Sequence, residues 1–334
     1  MQQVEFRSMG CKIAATVDDD GPTAARLLGE LPGWFAAWEV SLSRFQSDSE
    51  LNRLNRSAGR PFPLSPVLEE VLYAALQAEE QSSGLVTPAV LDALETAGYD
   101  RTFSALPGAA PLAGRLVDPM ARWLAPVEAL QPGGMGLFPG LPLPAARLQL
   151  DPLEHTARLQ PGLRLDLGGI AKGWAAQRAA ELLNRAGPAL VEAGGDLAAS
   201  GPKRPRPGRP AEDWYIRIEN PFDAAQDLGL LCLACGGVAT SGRDYRRWQQ
   251  AGRLQHHLID PRTGQPAVTD VLTASVIAPD TARAEMAAKT ALILGSDAGM
   301  AWLDAHPDLA GLLVLEDGRV LRSCAWSRYT WSET

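Results

Sequence analysis

The segment from Val238 to Pro266, VATSGRDYRRWQQAGRLQHHLIDPRTGQP, gathers hydroxyls, a histidine pair and an acid between two turn signals. Val238 and Ala239 close an apolar run, and Thr240-Ser241-Gly242 then supplies hydroxyl and backbone N–H donors at an expected turn. Asp260-Pro261-Arg262-Thr263-Gly264 is the second turn signal, with Pro and Gly where such turns favour them. Between them stand His256 and His257, and an unperturbed histidine titrates at about pH 6.5, where proton transfer is useful. The segment therefore reads as a ligand loop and not as core, since polar groups on loops held by a scaffold are where chemistry tends to sit.

A second stretch, LDLGGIAKGW from Leu165 to Trp174, places Gly168 and Gly169 ahead of a helix with Lys172 in its first turn. Glycines there let the backbone approach a phosphate, to which the helix N-terminus presents N–H donors and the positive end of its dipole. Lysine adds a point charge suited to a diphosphate. Taken alone, the glycine pair also fits close packing of a strand against a helix.

Both stretches resemble the FAD:protein FMN transferase family, the ApbE-type flavin transferases, whose signature runs ATSG, YRR, HIIDPRTG. LDLGGIAKGW is similar to that family's DLGGIAKGY, and VEAGGDLAASG from Val191 to Gly201 to its GGD strand-turn. Ser43 to Asn55, SRFQSDSELNRLN, resembles its flavin-side segment, and Leu85-Val86-Thr87-Pro88 its D-x-T-V-G-P stretch. The matches keep family order from Met9-Gly10 to the Leu292–Gly295 region. The resemblance implies an α+β fold, ApbE-like and T-fold-related, with mixed sheets, packed helices and an FAD cleft between lobes. The whole chain, 1–334, would be one flavin transferase domain. Its activity would be transfer of FMN from FAD to a Thr or Ser hydroxyl of an acceptor flavoprotein bearing a flavinylation motif, releasing AMP. The alternative is an FAD-binding protein, or an FAD pyrophosphatase that uses no protein acceptor. By resemblance, FAD contacts fall on Met9, Phe45, Val86, Thr87, Asp166, Lys172, Thr240 and His257, and catalysis on His257 and Lys172.

The same resemblance implies a metal, Mg2+, held by the Gly169 carbonyl and by a helix where the family carries an Asp and a Thr four residues apart, in ADALAT. Here that stretch reads Ala284-Glu285-Met286-Ala287-Ala288-Lys289, so Glu285 and Lys289 take those positions. Residues at i and i+4 share a helix face, so both should project into one site. A protonated lysine ligates no metal, and Thr290 is one position off that face. Two readings follow: Glu285 binds Mg2+ with backbone and water supplying the rest, or the Lys289 ammonium takes over part of the cation's work on the diphosphate. Without the resemblance the pair reads as a surface ion pair worth only about a few tenths of a kcal/mol. Phe45 stands where the family commonly has Tyr, and Gln177 where Asp is usual.

The 334 residues, 46% of them hydrophobic, are enough for a full core, and the net charge of −8 argues against a nucleic-acid partner. The basic cluster Lys203 to Arg209, broken by prolines, reads as a solvated loop. Leu228 to Cys235 is the longest apolar stretch, far short of the ~20 residues a membrane span needs. No cationic and apolar leader follows Met1, which points to the cytoplasm. Cys232 and Cys235 form a C-x-x-C without a second Cys or His pair at zinc-like spacing, so both read as core residues, while Cys11 and Cys324 have no evident partner.

Apolar periodicity predicts helices over Thr23–Leu42, divided or kinked at Pro32, then Ser65–Leu76, Ile170–Ala186 and Thr281–Leu294. Strand-like runs fall at Lys12–Val17, Arg147–Leu150, Ala189–Val191, Trp214–Glu219, Leu230–Leu233, Leu272–Ile277 and Gly311–Leu315. They interleave with no regular βαβ rhythm, which favours α+β. A Pro, Gly and Ala-rich excursion at about 106–144 is the least patterned part.

Overall fold

The computed structural model describes residues 1–106, 147–205, 210–223 and 225–330, so nearly all of the Pro, Gly and Ala-rich excursion lies outside the described residues. An eight-stranded sheet forms the centre. Its order is β1 (Gln2–Ser8), β2 (Cys11–Val17), β6 (Ala189–Ala193), β7 (Asp196–Ser200), β10 (Cys235–Gly242), β15 (Val271–Ala278), β16 (Ala310–Leu315) and β17 (Val320–Arg322), and every neighbouring pair is antiparallel. A three-stranded sheet joins β3 (Phe62–Pro63), β4 (Leu148–Asp151) and β5 (Thr156–Leu159). Two-stranded ribbons join β8 (Trp214–Glu219) to β9 (Asp227–Leu233), β11 (Arg247–Gln250) to β12 (Arg253–His256), and β13 (Ile259–Asp260) to β14 (Gln265–Pro266).

Seven α-helices lie among the described residues: α1 (Pro22–Leu42), α2 (Glu50–Asn55), α3 (Pro66–Gln81), α4 (Leu91–Thr96), α5 (Ala171–Leu183), α6 (Thr281–Leu294) and α7 (Ser296–Asp304). Side chains alternate across a strand, and the central sheet uses both faces. Ala198, Ala239 and Val276 face a core shared with α1, α3, α5 and α6, while their neighbours Ala199, Val238 and Ile277 face one shared with the β8–β9 ribbon. β15 and β16 are buried at every position, which is why they read as continuous apolar runs.

Gly237 marks where α6 meets the sheet, since a Cβ there would lie 2.3 Å from the Thr281 backbone nitrogen. Asp280 caps that helix by accepting from the Arg283 N–H, and Gly295 ends it at φ 84°.

Four expectations need correction. Pro32 does not divide α1: it sits on the exposed face, while Leu28, Leu31 and Phe35 continue the buried stripe past it. α3 runs beyond Leu76 to Gln81, because small Ala75 and Ala78 and the buried acid Glu79 extend its inner face. Cys232 is only half-buried and Cys235 is exposed; Leu231 and Leu233 take the inward positions of β9, so alternation turns Cys232 outward. Of the Lys203–Arg209 cluster, residues 206–209 lie outside the described residues, and Lys203 is no free loop charge: its backbone pairs with that of Glu212 and its ammonium lies 5.3 Å and 5.0 Å from the rings of Trp214 and Tyr215. No helix among the described residues is long and apolar enough to cross a membrane.

Candidate active site

The β1–β2 turn, the loop before α2, the turn before α5 and the segment after β12 converge on a cleft of about 800 Å3. Met9 and Gly10 form its hairpin edge, both with positive φ, and Glu39 of α1 holds that edge by accepting from the Met9 N–H at 3.1 Å. Five cationic side chains line the cleft, Arg7, Arg44, Lys172, Arg246 and Lys289, against two acids, Glu39 and Asp166. Behind the wall Asp196 and Glu285 pair with Lys172 and Lys289, which leaves a net excess of one cation, and in a chain of net charge −8 this suits the cleft to an anion.

Two asparagines build the frame. Asn52 donates to the carbonyls of Arg44 and Gln46, each at 2.8 Å, and so fixes the loop carrying Arg44 and Phe45. Asn55 grips Leu165 from both sides, donating to its carbonyl at 2.9 Å and accepting from its N–H at 2.8 Å. That grip sets the approach to the Gly168-Gly169 turn. Asp166 organises the turn further: one oxygen accepts from the Gly168 N–H at 2.9 Å, and the other pairs with Arg44 Nε at 2.8 Å. The Arg44 guanidinium also lies over the rings of Phe45 (4.2 Å) and Tyr99 (4.5 Å), and its Nη2 is buried without a hydrogen-bond partner.

Beneath the turn lies a buried network of four charges. Lys172, second residue of α5, contacts Asp196 at the start of β7 and stands 3.5 Å from Glu285. Lys289 Nζ donates to the Gly169 carbonyl at 2.5 Å and to Glu285 Oε1 at 2.8 Å, while the Gly173 N–H donates to Glu285 Oε2 at 3.3 Å. The Glu285–Lys289 pair is thus no surface pair; their side chains are 3% and 14% exposed. Burial opposes the charge on Lys172, yet Asp196 and Glu285 outweigh it and raise its pKa. Burial likewise opposes ionised Glu285, but Lys172 and Lys289 hold its carboxyl below the usual range. Burial and the Glu285 charge push Asp196 up to about 6 in spite of Lys172; with the ammonium in contact, the pair is ionised at neutral pH.

These groups do not fit a divalent metal. The Gly169 carbonyl and the Glu285 carboxylate already accept from an ammonium, and no cluster of three His, Cys, Asp or Glu side chains among the described residues could hold an ion. A divalent ion about 4 Å from that ammonium would be repelled by about 8 kcal/mol at an effective dielectric of about 20.

His257 lines the cleft with a partly accessible edge, while its Nδ1 is enclosed by protein and has no hydrogen-bond partner. Burial first, then the charges of Arg246, His256, Lys289 and Lys172, hold it well below the ordinary 6.5, so the ring is neutral at pH 7. Asp260 braces the segment from the other end, its carboxylate paired with Arg262 at 2.8 Å and accepting from the Arg262 N–H at 2.9 Å.

Of the residues singled out in the sequence, Met9, Phe45, Val86, Thr87, Asp166, Gly169, Lys172, His257 and Lys289 line the cleft, and Glu285 lies just behind Lys289. Thr240 does not join them. Thr240-Ser241-Gly242 is no turn but the end of β10, where pairing with β15 sets the Thr240 hydroxyl 2.8 Å from that of Ser275. Most of the supposed loop from Val238 to Pro266 is strand. Sequence reading missed Arg44, Tyr99, Asp196 and Arg246. Arg44 stands inside the quoted SRF run, Asp196 inside GGD and Arg246 inside YRR; Tyr99 carried no signal beyond its aromatic type.

The family model of the ApbE family matches residues 9–313. The chain belongs to the ApbE family. Among ApbE relatives, a FAD:protein FMN transferase from Treponema pallidum is 32% identical over 296 residues, covering 85% of this chain and 76% of the relative. One of the same name from Salmonella typhimurium is 26% identical over 302 residues, covering 88% and 79%. Solved ApbE structures share the α+β fold. The ApbE protein from Thermotoga maritima superimposes with a TM-score of 0.78 at 21% identity, over 99% of each chain. The flavinyl transferase ApbE from Pseudomonas stutzeri gives 0.74 at 23% identity, over 100% of this chain and 98% of that one.

Proposed function

We propose that this protein transfers FMN from FAD to a Ser or Thr hydroxyl of an acceptor flavoprotein and releases AMP. The observation that carries the reading is a cation-lined cleft at the Gly168-Gly169 turn with a neutral histidine in its wall. Relatives named FAD:protein FMN transferase that align over most of the chain support it. A protein acceptor distinguishes that activity from plain FAD storage or hydrolysis.

In this reading the flavin half of FAD lies against Phe45, Tyr99 and the Arg44 guanidinium, with Met9, Val86 and Thr87 lining the same cleft. The diphosphate lies against the turn and the N-terminus of α5, its charge met by Lys172, Lys289 and Arg246. Positioning and charge neutralisation do most of the work in phosphoryl transfer. His257 is uncharged at neutral pH and lines the cleft with its accessible edge, so the ring nitrogen on that edge, Nε2, accepts the proton of the attacking hydroxyl, while the enclosed Nδ1 does not reach it. The acceptor oxygen bonds to the phosphorus of the FMN half, the bond from that phosphorus to the bridging oxygen breaks, and the electron pair departs with AMP. The test is incubation with FAD, with and without a flavoprotein acceptor, following AMP release and covalent flavin together. AMP release that is the same with and without acceptor, and never accompanied by covalent flavin, would replace the transferase with a pyrophosphatase.

A further inference from the structure

Resting on that reading of the cleft, we infer that Lys289 is a built-in cation that stands in place of a metal ion, so that FAD is bound and FMN transferred without a divalent metal. Three observations lead there. The Lys289 Nζ occupies the point where the Gly169 carbonyl and the Glu285 carboxylate converge, and it donates to both. An ammonium has three donors, two of them used here, and the third has no hydrogen-bond partner among the described residues although Lys289 lines the cleft, which leaves it for a phosphate oxygen. Finally, the buried network is already balanced. Lys172 and Lys289 offset Asp196 and Glu285, whereas a site built for a divalent ion needs an excess of acid.

The neighbouring geometry shows that the lysine is fitted and not merely tolerated. A Cβ on Gly169 would come within 2.7 Å of Nζ, and one on Gly173 within 2.8 Å of Glu285 Oε2. Glycine at these two places leaves room for the ammonium to reach the turn and for the carboxylate to hold it there. During transfer Lys289 exchanges no proton and forms no bond; it neutralises charge on the diphosphate, as a tethered ion would.

The test compares the wild-type protein with Lys289→Met and Lys289→Thr. FAD affinity is followed by flavin fluorescence, in EDTA and in excess Mg2+, and Mn2+ binding to the protein by paramagnetic resonance. For the wild type we expect FAD affinity in EDTA and in Mg2+ to agree within about twofold, with no bound Mn2+ signal. Lys289→Met should weaken FAD binding by about tenfold or more in EDTA, and Lys289→Thr should recover affinity only when Mg2+ is added. A wild-type protein that binds Mn2+ stoichiometrically and loses FAD in EDTA, with Lys289→Met unaffected, overturns the inference. Both readouts need no acceptor, so failure to flavinylate any acceptor would remove the transferase reading and leave this one standing.

Discussion

His256 should make the fold sensitive to mild acid, and the size of the effect follows from its two hydrogen bonds. Its Nε2 donates to the Ala267 carbonyl at 3.1 Å and its Nδ1 accepts from the Leu258 N–H at 3.3 Å, an arrangement only the neutral ring satisfies. Burial, with Arg243 and Arg247 nearby, holds its pKa at about 3 against an unfolded 6.5, although the Ala267 carbonyl pulls upward. Folding therefore favours the neutral form. The associated stability is complete above pH 6.5 and is lost as pH falls toward 3, in all about 5 kcal/mol at about 1.4 kcal/mol per pH unit. His257 is shifted the same way, whereas Asp196, raised to about 6, is favoured protonated and gains stability as pH falls from 6 toward 4, cancelling one proton of the slope. His256→Gln keeps a donor for Ala267 and cannot titrate. Urea unfolding of both proteins at several pH values between 4.5 and 6 should give slopes that differ by about 1.4 kcal/mol per pH unit, a difference that disappears above pH 6.5. Carboxylates common to both cancel in that difference. Parallel plots of unfolding free energy against pH would show that His256 is no acid-labile group, whatever the absolute stabilities.

His257→Ala should lower turnover by about a hundredfold or more with little change in FAD affinity, read from steady-state AMP release and a separate binding titration. FAD should bind more tightly than FMN, because the cationic wall meets a diphosphate; equal affinities by fluorescence titration would remove the central assignment. Lys172→Met leaves two buried carboxylates short of a partner and should cost about 3–5 kcal/mol of stability by urea unfolding; adding Asp196→Asn should restore part of that stability but not the FAD affinity.

Much of the fold is legible in sequence because its signals are local. The span Thr281–Leu294, with its Asp280 cap and Gly295 stop, is observed to the residue, and Trp214–Glu219 alternates as a half-buried strand should. Thr240 misleads for an equally physical reason: Thr, Ser and Gly suit a turn by propensity, but pairing with β15 overrides propensity at a sheet centre. Cys235 reads as core from its apolar neighbours, yet it stands where the chain leaves the β8–β9 ribbon for the central sheet, outside either hydrophobic face.

The site itself is legible as a set of motifs, but its electrostatics are not. The i,i+4 spacing of Glu285 and Lys289 is the same whether the pair faces water or is buried, and the sequence alone favours water. Burial comes from what surrounds the pair. Ala284, Ala287, Ala288 and Ala291 carry almost no side chain, so α6 packs closely against its neighbours, with Gly237 admitting its first residue to the sheet. Gly173 brings α5 close enough for its N–H to reach Glu285. A run of alanines and glycines usually reads as filler; here it sets the distance at which two lysines meet two acids below the Gly168-Gly169 turn. The placement of Lys172 and Lys289 at the cleft is thus a consequence of helix packing, and the ammonium at 289 reaches the Gly169 carbonyl only because residues with almost no side chain let α6 come so near.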